Sequence, residues 1–131
     1  MKEFIKRWGP AILVMGLIFI ASNTSGSDIP KFGIFDLLVK KGGHMLGYAL
    51  LAASFFHGLD NGKRTPRFLL ISAVLLAILY AASDEFHQSF TPGRSPAFKD
   101  VGIDTLGSII GIAVLSFLRR RFIGRGKGFS Q

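Results

Sequence analysis

Four apolar runs, at residues 8–22, 44–59, 68–83 and 101–118, alternate with short polar segments along the chain. Each run is somewhat shorter than the roughly 20 residues a helix needs to cross hydrocarbon. Each reaches that length if the helix continues into its flanks. The runs lack the strict alternation of a half-buried strand, and an open sheet cannot satisfy its backbone in lipid. The pattern therefore predicts an all-α polytopic membrane protein, a four-transmembrane-helix bundle. It forms one domain over residues 1–123, followed by a basic, Gly-rich tail over 124–131. The tail is expected to stay near anionic lipid.

Punctuation between the runs supports this division. Asn61-Gly62 is a turn signal, and Thr65-Pro66 is a helix start, so runs two and three form an antiparallel hairpin. Residues 30–39 mix apolar side chains with Lys31 and Asp36, which suits a short amphipathic segment at the membrane interface. The first run, with Lys2, Lys6 and Arg7 ahead of it and small polar residues from Ser22 to Ser27 behind it, has the layout of a signal peptide. Three further apolar runs follow, so it is expected to be retained as a span.

Charge gives the runs a direction. Lys2, Lys6 and Arg7 precede the first run, and Lys63, Arg64 and Arg67 lie between the second and third. Arg119, Arg120, Arg121, Arg125 and Lys127 follow the fourth. The alternate segments hold only Lys31, Lys40 and Lys41, then Arg94 and Lys99. The positive-inside rule puts both termini in the cytoplasm and the other two loops outside, in the inner (cytoplasmic) membrane. Asp28, Asp36, Asp84, Glu85, Asp100 and Asp104 then all lie toward the outer side.

Composition agrees. Of 131 residues, 49% are hydrophobic, and the mean hydropathy is +0.41. The net charge of +8 is carried by short clusters between apolar runs. That arrangement fits orientation and contact with membrane lipids, not nucleic acid. The absence of cysteine excludes disulfides, thiolate nucleophiles and Cys-ligated metal.

Helical spacing gathers the polar residues into three stripes. Lys41, His44 and Tyr48 share a face at the start of the second helix. Asp84, His87 and Gln88 share one at the end of the third, with Glu85 beside them. Asp100, Asp104 and Gly107 form the stripe of the fourth; Gly111 continues it and allows another helix to come close. All three stripes sit at the same depth. An ionisable side chain deep in hydrocarbon costs about 2.5–3.5 kcal/mol on insertion scales. The acids should therefore turn inward and pair with Arg94, Lys41 or one another. Asp104, a full turn inside Asp100, is the most informative of them.

The segments Ser83-Asp84-Glu85-Phe86-His87-Gln88 and Phe90-Thr91-Pro92-Gly93-Arg94, then Asp100 and Gly107, resemble the VanZ-like family. So does Lys41-x-x-His44-x-x-x-Tyr48 upstream. The resemblance runs over about residues 40–118, and its specificity lies in the ordered set of motifs. It implies an integral membrane protein of the kind found in glycopeptide-resistance gene clusters, where a member lowers susceptibility to teicoplanin. The family more usually has Asn where this chain has Asp104, which adds a negative charge here.

Three readings of the cluster follow. In the first, Lys41, His44 and Arg94 hold an anionic cell-envelope ligand, a lipid-linked cell-wall precursor or a phospholipid headgroup, while the acids orient the bases. The candidate binding set is Lys41, His44, Tyr48, Asp84, Glu85, Gln88, Arg94, Asp100 and Asp104. In the second, Asp84, Glu85 and Asp100 are general acid–base candidates of a membrane hydrolase or transferase acting on a lipid phosphate, helped by a divalent cation. No H-E-x-x-H, nucleophile elbow or phosphate loop accompanies them, and no metal or cofactor is assigned. In the third, the charges form a structural ion-pair network. A transport pathway is disfavoured, because all the charge lies at one depth.

Overall fold

The structure, a computed structural model, describes residues 1–23, 34–90 and 98–123, and the backbone alone for 34–40. Arg94, the amphipathic stretch as far as residue 33 and the tail 124–131 lie outside the described residues. Four helices account for nearly all the rest: α1 (Lys2–Asn23), α2 (Ile34–Leu59), α3 (Pro66–Gln88) and α4 (Phe98–Ile123). Every apolar run has extended into its flanks, because a helix closes its own backbone hydrogen bonds and a shorter one would leave polar groups open to lipid. Residues 34–39 form the opening turns of α2, so they belong to that helix and not to a separate interfacial segment.

α1, α3 and α4 are each long and apolar enough to cross a membrane. α2 is not among these; His44, Tyr48 and His57 and several glycines interrupt its apolar run. Its place in the bundle explains why that is tolerated. α2 packs against each of the other three helices, most extensively against α4. Its Tyr48, Leu51, Ala52, Phe55 and Phe56 are buried, with α3 contributing Leu69, Ala73, Ala77 and Ala81 to the same core. Large apolar side chains on the flanking helices, such as Leu13, Ile20, Leu79, Val114 and Phe117, face outward. A bundle that is greasy outside and polar within at one end is the arrangement lipid selects.

The helices run up, down, up and down, so α2 and α4 are parallel neighbours. Their contact is close at two glycines one turn apart. A Cβ built on Gly111 would lie 2.6 Å from the Ala49 carbonyl oxygen, and one on Gly107 would lie 2.9 Å from Met45 Cα. The close approach read from the Gly107–Gly111 stripe is thus made, and its partner is α2. The hairpin between α2 and α3 also forms as expected. Gly62 takes a positive φ of 74°, and its N–H donates to Asp60 Oδ1 at 3.1 Å. Thr65 caps α3 by accepting from the Phe68 N–H, with Pro66 in the first turn.

The end of the bundle at this hairpin is tied by arginines. Arg7 of α1 donates to the carbonyls of Gly58 (3.1 Å) and Asp60 (2.9 Å). Arg119 of α4 donates to Asp60 Oδ2 at 2.9 Å, and its guanidinium lies 4.8 Å from the Phe56 ring centroid. The Arg119 hydrogen bond, helped by the Gly62 N–H, holds the Asp60 carboxyl below its ordinary range. A depressed carboxyl contributes stability above its unfolded pKa and loses it as pH falls through the folded value. Stability of the detergent-solubilised protein is therefore expected to fall as pH drops below about 4. In Asp60→Asn that acid-side loss should be shallower, read from unfolding midpoints between pH 7 and pH 3. Equal slopes would show that the Arg119–Asp60 pair contributes nothing. The effect is modest, since the pair is partly exposed and solvent screens it.

Candidate functional site

At the opposite end, polar side chains from all four helices meet. Asp84 and Gln88 lie one turn apart on α3 and both point inward. Gln88 Nε2 donates to Asp84 Oδ2 at 2.9 Å. Ser22, the last buried residue of α1, donates its hydroxyl to the same oxygen at 2.6 Å and accepts from Gln88 Nε2 at 3.2 Å. The Tyr48 hydroxyl reaches Oδ2 from α2 at 3.5 Å, the limit of a hydrogen bond. Asp84 is only 4% exposed, yet its other oxygen, Oδ1, is buried with no hydrogen-bond partner. An unmade hydrogen bond at a buried acceptor costs about 1–3 kcal/mol, more for a charged group. The bundle bears that cost at this one side-chain atom among the described residues.

Toward the mouth, α2 and α4 face each other in register. Lys41 Nζ lies 3.3 Å from Asp100 Oδ1, with the two side chains 42% and 40% exposed. One turn deeper, His44 Nδ1 is 3.9 Å from Asp104 Oδ1, and Asp104 is nearly fully enclosed. That pair is ionic only when the imidazole is protonated. Ser108, one turn further, donates to the Asp104 carbonyl at 2.9 Å and lies 3.4 Å from the Tyr48 carbonyl. The glycine contacts flank this last rung, Gly107 against Met45 just before it and Gly111 against Ala49 just after. Parallel helices with polar residues at matching intervals produce this order, since each turn of α2 meets the corresponding turn of α4.

Aromatic rings line the floor. The rings of His44 and Tyr48 stack with centroids 6.4 Å apart, and Tyr48 and Tyr80 are 6.2 Å apart. Tyr48 is wholly buried. Tyr80 donates its hydroxyl to the Met15 carbonyl of α1 at 2.7 Å, which satisfies a polar atom that lipid could not. Glu85 is buried beside Asp84.

Set against the sequence, Lys41, His44, Tyr48, Asp84, Glu85, Gln88, Asp100 and Asp104 all lie at one end of the bundle, and Arg94 lies outside the described residues. Two differences emerge. Asp84 meets neutral donors, not Lys41, because Lys41 lies on the side of α2 that faces α4, whereas Asp84 enters the bundle beside α1. His87, read on the Asp84 stripe, turns toward α1 instead. Its ring is 4.7 Å from that of Phe19, and its Nε2 lies 3.4 Å from Asn23 Oδ1. Ser22 was missed, since a small polar residue after the first apolar run reads as part of a cleavage region. Its depth was the available signal: Ser22 ends α1 at the level where Asp84 ends α3. Among the described residues, no three His or carboxylate side chains converge as metal ligands would.

Comparison of the chain with curated proteins and with solved structures returns no match. The profile of one family, VanZ/LLP1, matches residues 8–119, which takes in the carboxylate cluster, the glycine contacts and most of the four helices. The chain belongs to the VanZ/LLP1 family.

Proposed function

We propose that the chain spans the cytoplasmic membrane four times with both termini in the cytoplasm. Its carboxylate-lined end opens at the outer face and binds an anionic cell-envelope ligand, a lipid-linked precursor or a phospholipid headgroup. In a glycopeptide-resistance setting, occupancy of this site lowers susceptibility to teicoplanin. One observation carries the reading. In a bundle whose flanks are apolar, the polar side chains of four helices converge at a single end, with the Lys41 ammonium half-exposed at the mouth. Its partner Asp100 is equally exposed, so a phosphate or carboxylate can compete for the cation at little desolvation cost. The excess of lysine and arginine on the hairpin, amino-terminal and carboxyl-terminal segments supports the orientation.

Topology is directly testable because the chain has no cysteine. In intact cells, a Lys99→Cys variant is expected to react with a membrane-impermeant maleimide and an Asn61→Cys variant to react only after lysis. The reverse pattern would overturn the orientation. Binding is tested by native mass spectrometry of the purified protein. Phosphate-bearing lipid is expected to remain on the wild type and to be largely lost from Lys41→Ala and Arg94→Ala. No retained lipid on the wild type would end the ligand reading.

A further inference from the structure

The ligand's second recognition element can be read from the lone oxygen at the floor of the site. Three donors from three helices, Ser22, Tyr48 and Gln88, converge on Asp84 Oδ2. They fix the plane of the carboxylate and occupy one of its two oxygens. Oδ1 is left buried and without a donor. A carboxylate is an acceptor on both oxygens, and so tightly held a group is costly to the fold unless something completes it. Nearer the mouth, on the α4-facing side of α2, lies the half-exposed Lys41 ammonium beside Asp100. The site thus pairs a cation at its rim with an unfilled acceptor at its floor.

We infer that Asp84 Oδ1 receives an O–H or N–H donor from the bound ligand, so the ligand is a phosphate ester whose headgroup also carries a hydrogen-bond donor. This rests on the headgroup-binding reading above and narrows it. An ammonium and a sugar or glycerol hydroxyl share the required chemistry. A quaternary ammonium has the same phosphate and no donor, so it leaves the oxygen without a hydrogen bond.

Three lipids with identical acyl chains separate the cases: phosphatidylethanolamine, phosphatidylglycerol and phosphatidylcholine, titrated onto delipidated full-length protein and read by native mass spectrometry. One hydrogen bond to a charged acceptor corresponds to about tenfold or more in affinity. At least one donor-bearing lipid is expected to bind about tenfold more tightly than phosphatidylcholine. Preference for phosphatidylethanolamine alone identifies an ammonium, and preference for phosphatidylglycerol alone identifies a hydroxyl.

Asp84→Asn supplies the second arm. Its amide oxygen must take the place of Oδ2 to accept from Ser22 and Gln88, which puts an N–H₂ where Oδ1 stood. The preference over phosphatidylcholine should then disappear while phosphate-dependent binding remains. Equal binding of all three lipids to the wild type would overturn the inference and leave the headgroup reading standing, as would a preference that survives Asp84→Asn. Binding of none above diacylglycerol of the same chains would overturn both. The wild-type comparison does not depend on the variant folding.

Discussion

Gly107→Val is expected to unfold or grossly loosen the bundle, at a cost of about 3 kcal/mol or more. Overpacking of a core ordinarily costs about 1–3 kcal/mol, because side chains can shift aside. Here the obstacle is the backbone of α2: a Cβ at Gly107 meets the Met45 carbonyl and Cα, and one at Gly111 meets the same two atoms of Ala49. Backbone gives way only if the helices separate. Separation would also part Lys41 from Asp100 and His44 from Asp104, so headgroup binding should fall with stability. Gly111→Ala should cost about 1–3 kcal/mol. The control is Gly102→Ala on the same helix, where a Cβ meets nothing within 4 Å. There the loss of glycine's backbone freedom should leave the protein unchanged or about 1 kcal/mol more stable. Unfolding in mixed micelles measures all three. A Gly107→Val protein as stable as wild type would mean that α2 and α4 do not cross where described.

The bundle was legible in the sequence because lipid leaves few choices. Apolar runs of the observed length must be helices, and the turn residues at Asn61-Gly62 and Thr65-Pro66 mark where the hairpin closes. Period alone also placed Lys41, His44, Tyr48, Asp100, Asp104, Gly107 and Gly111 correctly, since α2 and α4 are parallel and residues four apart on one meet residues four apart on the other. Periodicity cannot say which face of α3 looks at which neighbour. His87 and Gln88 are adjacent in sequence, and one of them had to leave the Asp84 stripe. Nor could it pair Ser22 with Asp84, a contact across 62 residues made by a residue type common in any loop. The centrality of α2 was hidden for a related reason. Its histidines and glycines interrupt the apolar run, and only the packed bundle shows them among neighbouring helices.

Whether the Asp84 cluster exists for stability or for binding can be decided by removing it whole. Ser22→Ala, Asp84→Leu and Gln88→Leu, each alone, leave buried polar partners without their mates and should each cost about 1–3 kcal/mol. The triple variant replaces all three with apolar side chains and leaves in place only the Tyr48 hydroxyl, whose 3.5 Å contact with Asp84 is the longest of the set. Buried polar clusters exchanged in this way are often neutral or stabilising by about 1–4 kcal/mol. The triple variant is therefore expected to be at least as stable as wild type, far from the sum of the single losses, because the three residues share one network. It should also lose donor-dependent headgroup binding completely, since the acceptor at the floor is gone while Lys41 and Asp100 remain at the mouth. A stable protein that no longer discriminates headgroups would show that Asp84 is kept for what it binds. If instead the triple variant is less stable than every single one and its lipid selectivity is unchanged, the cluster is a structural brace, and the site must lie elsewhere.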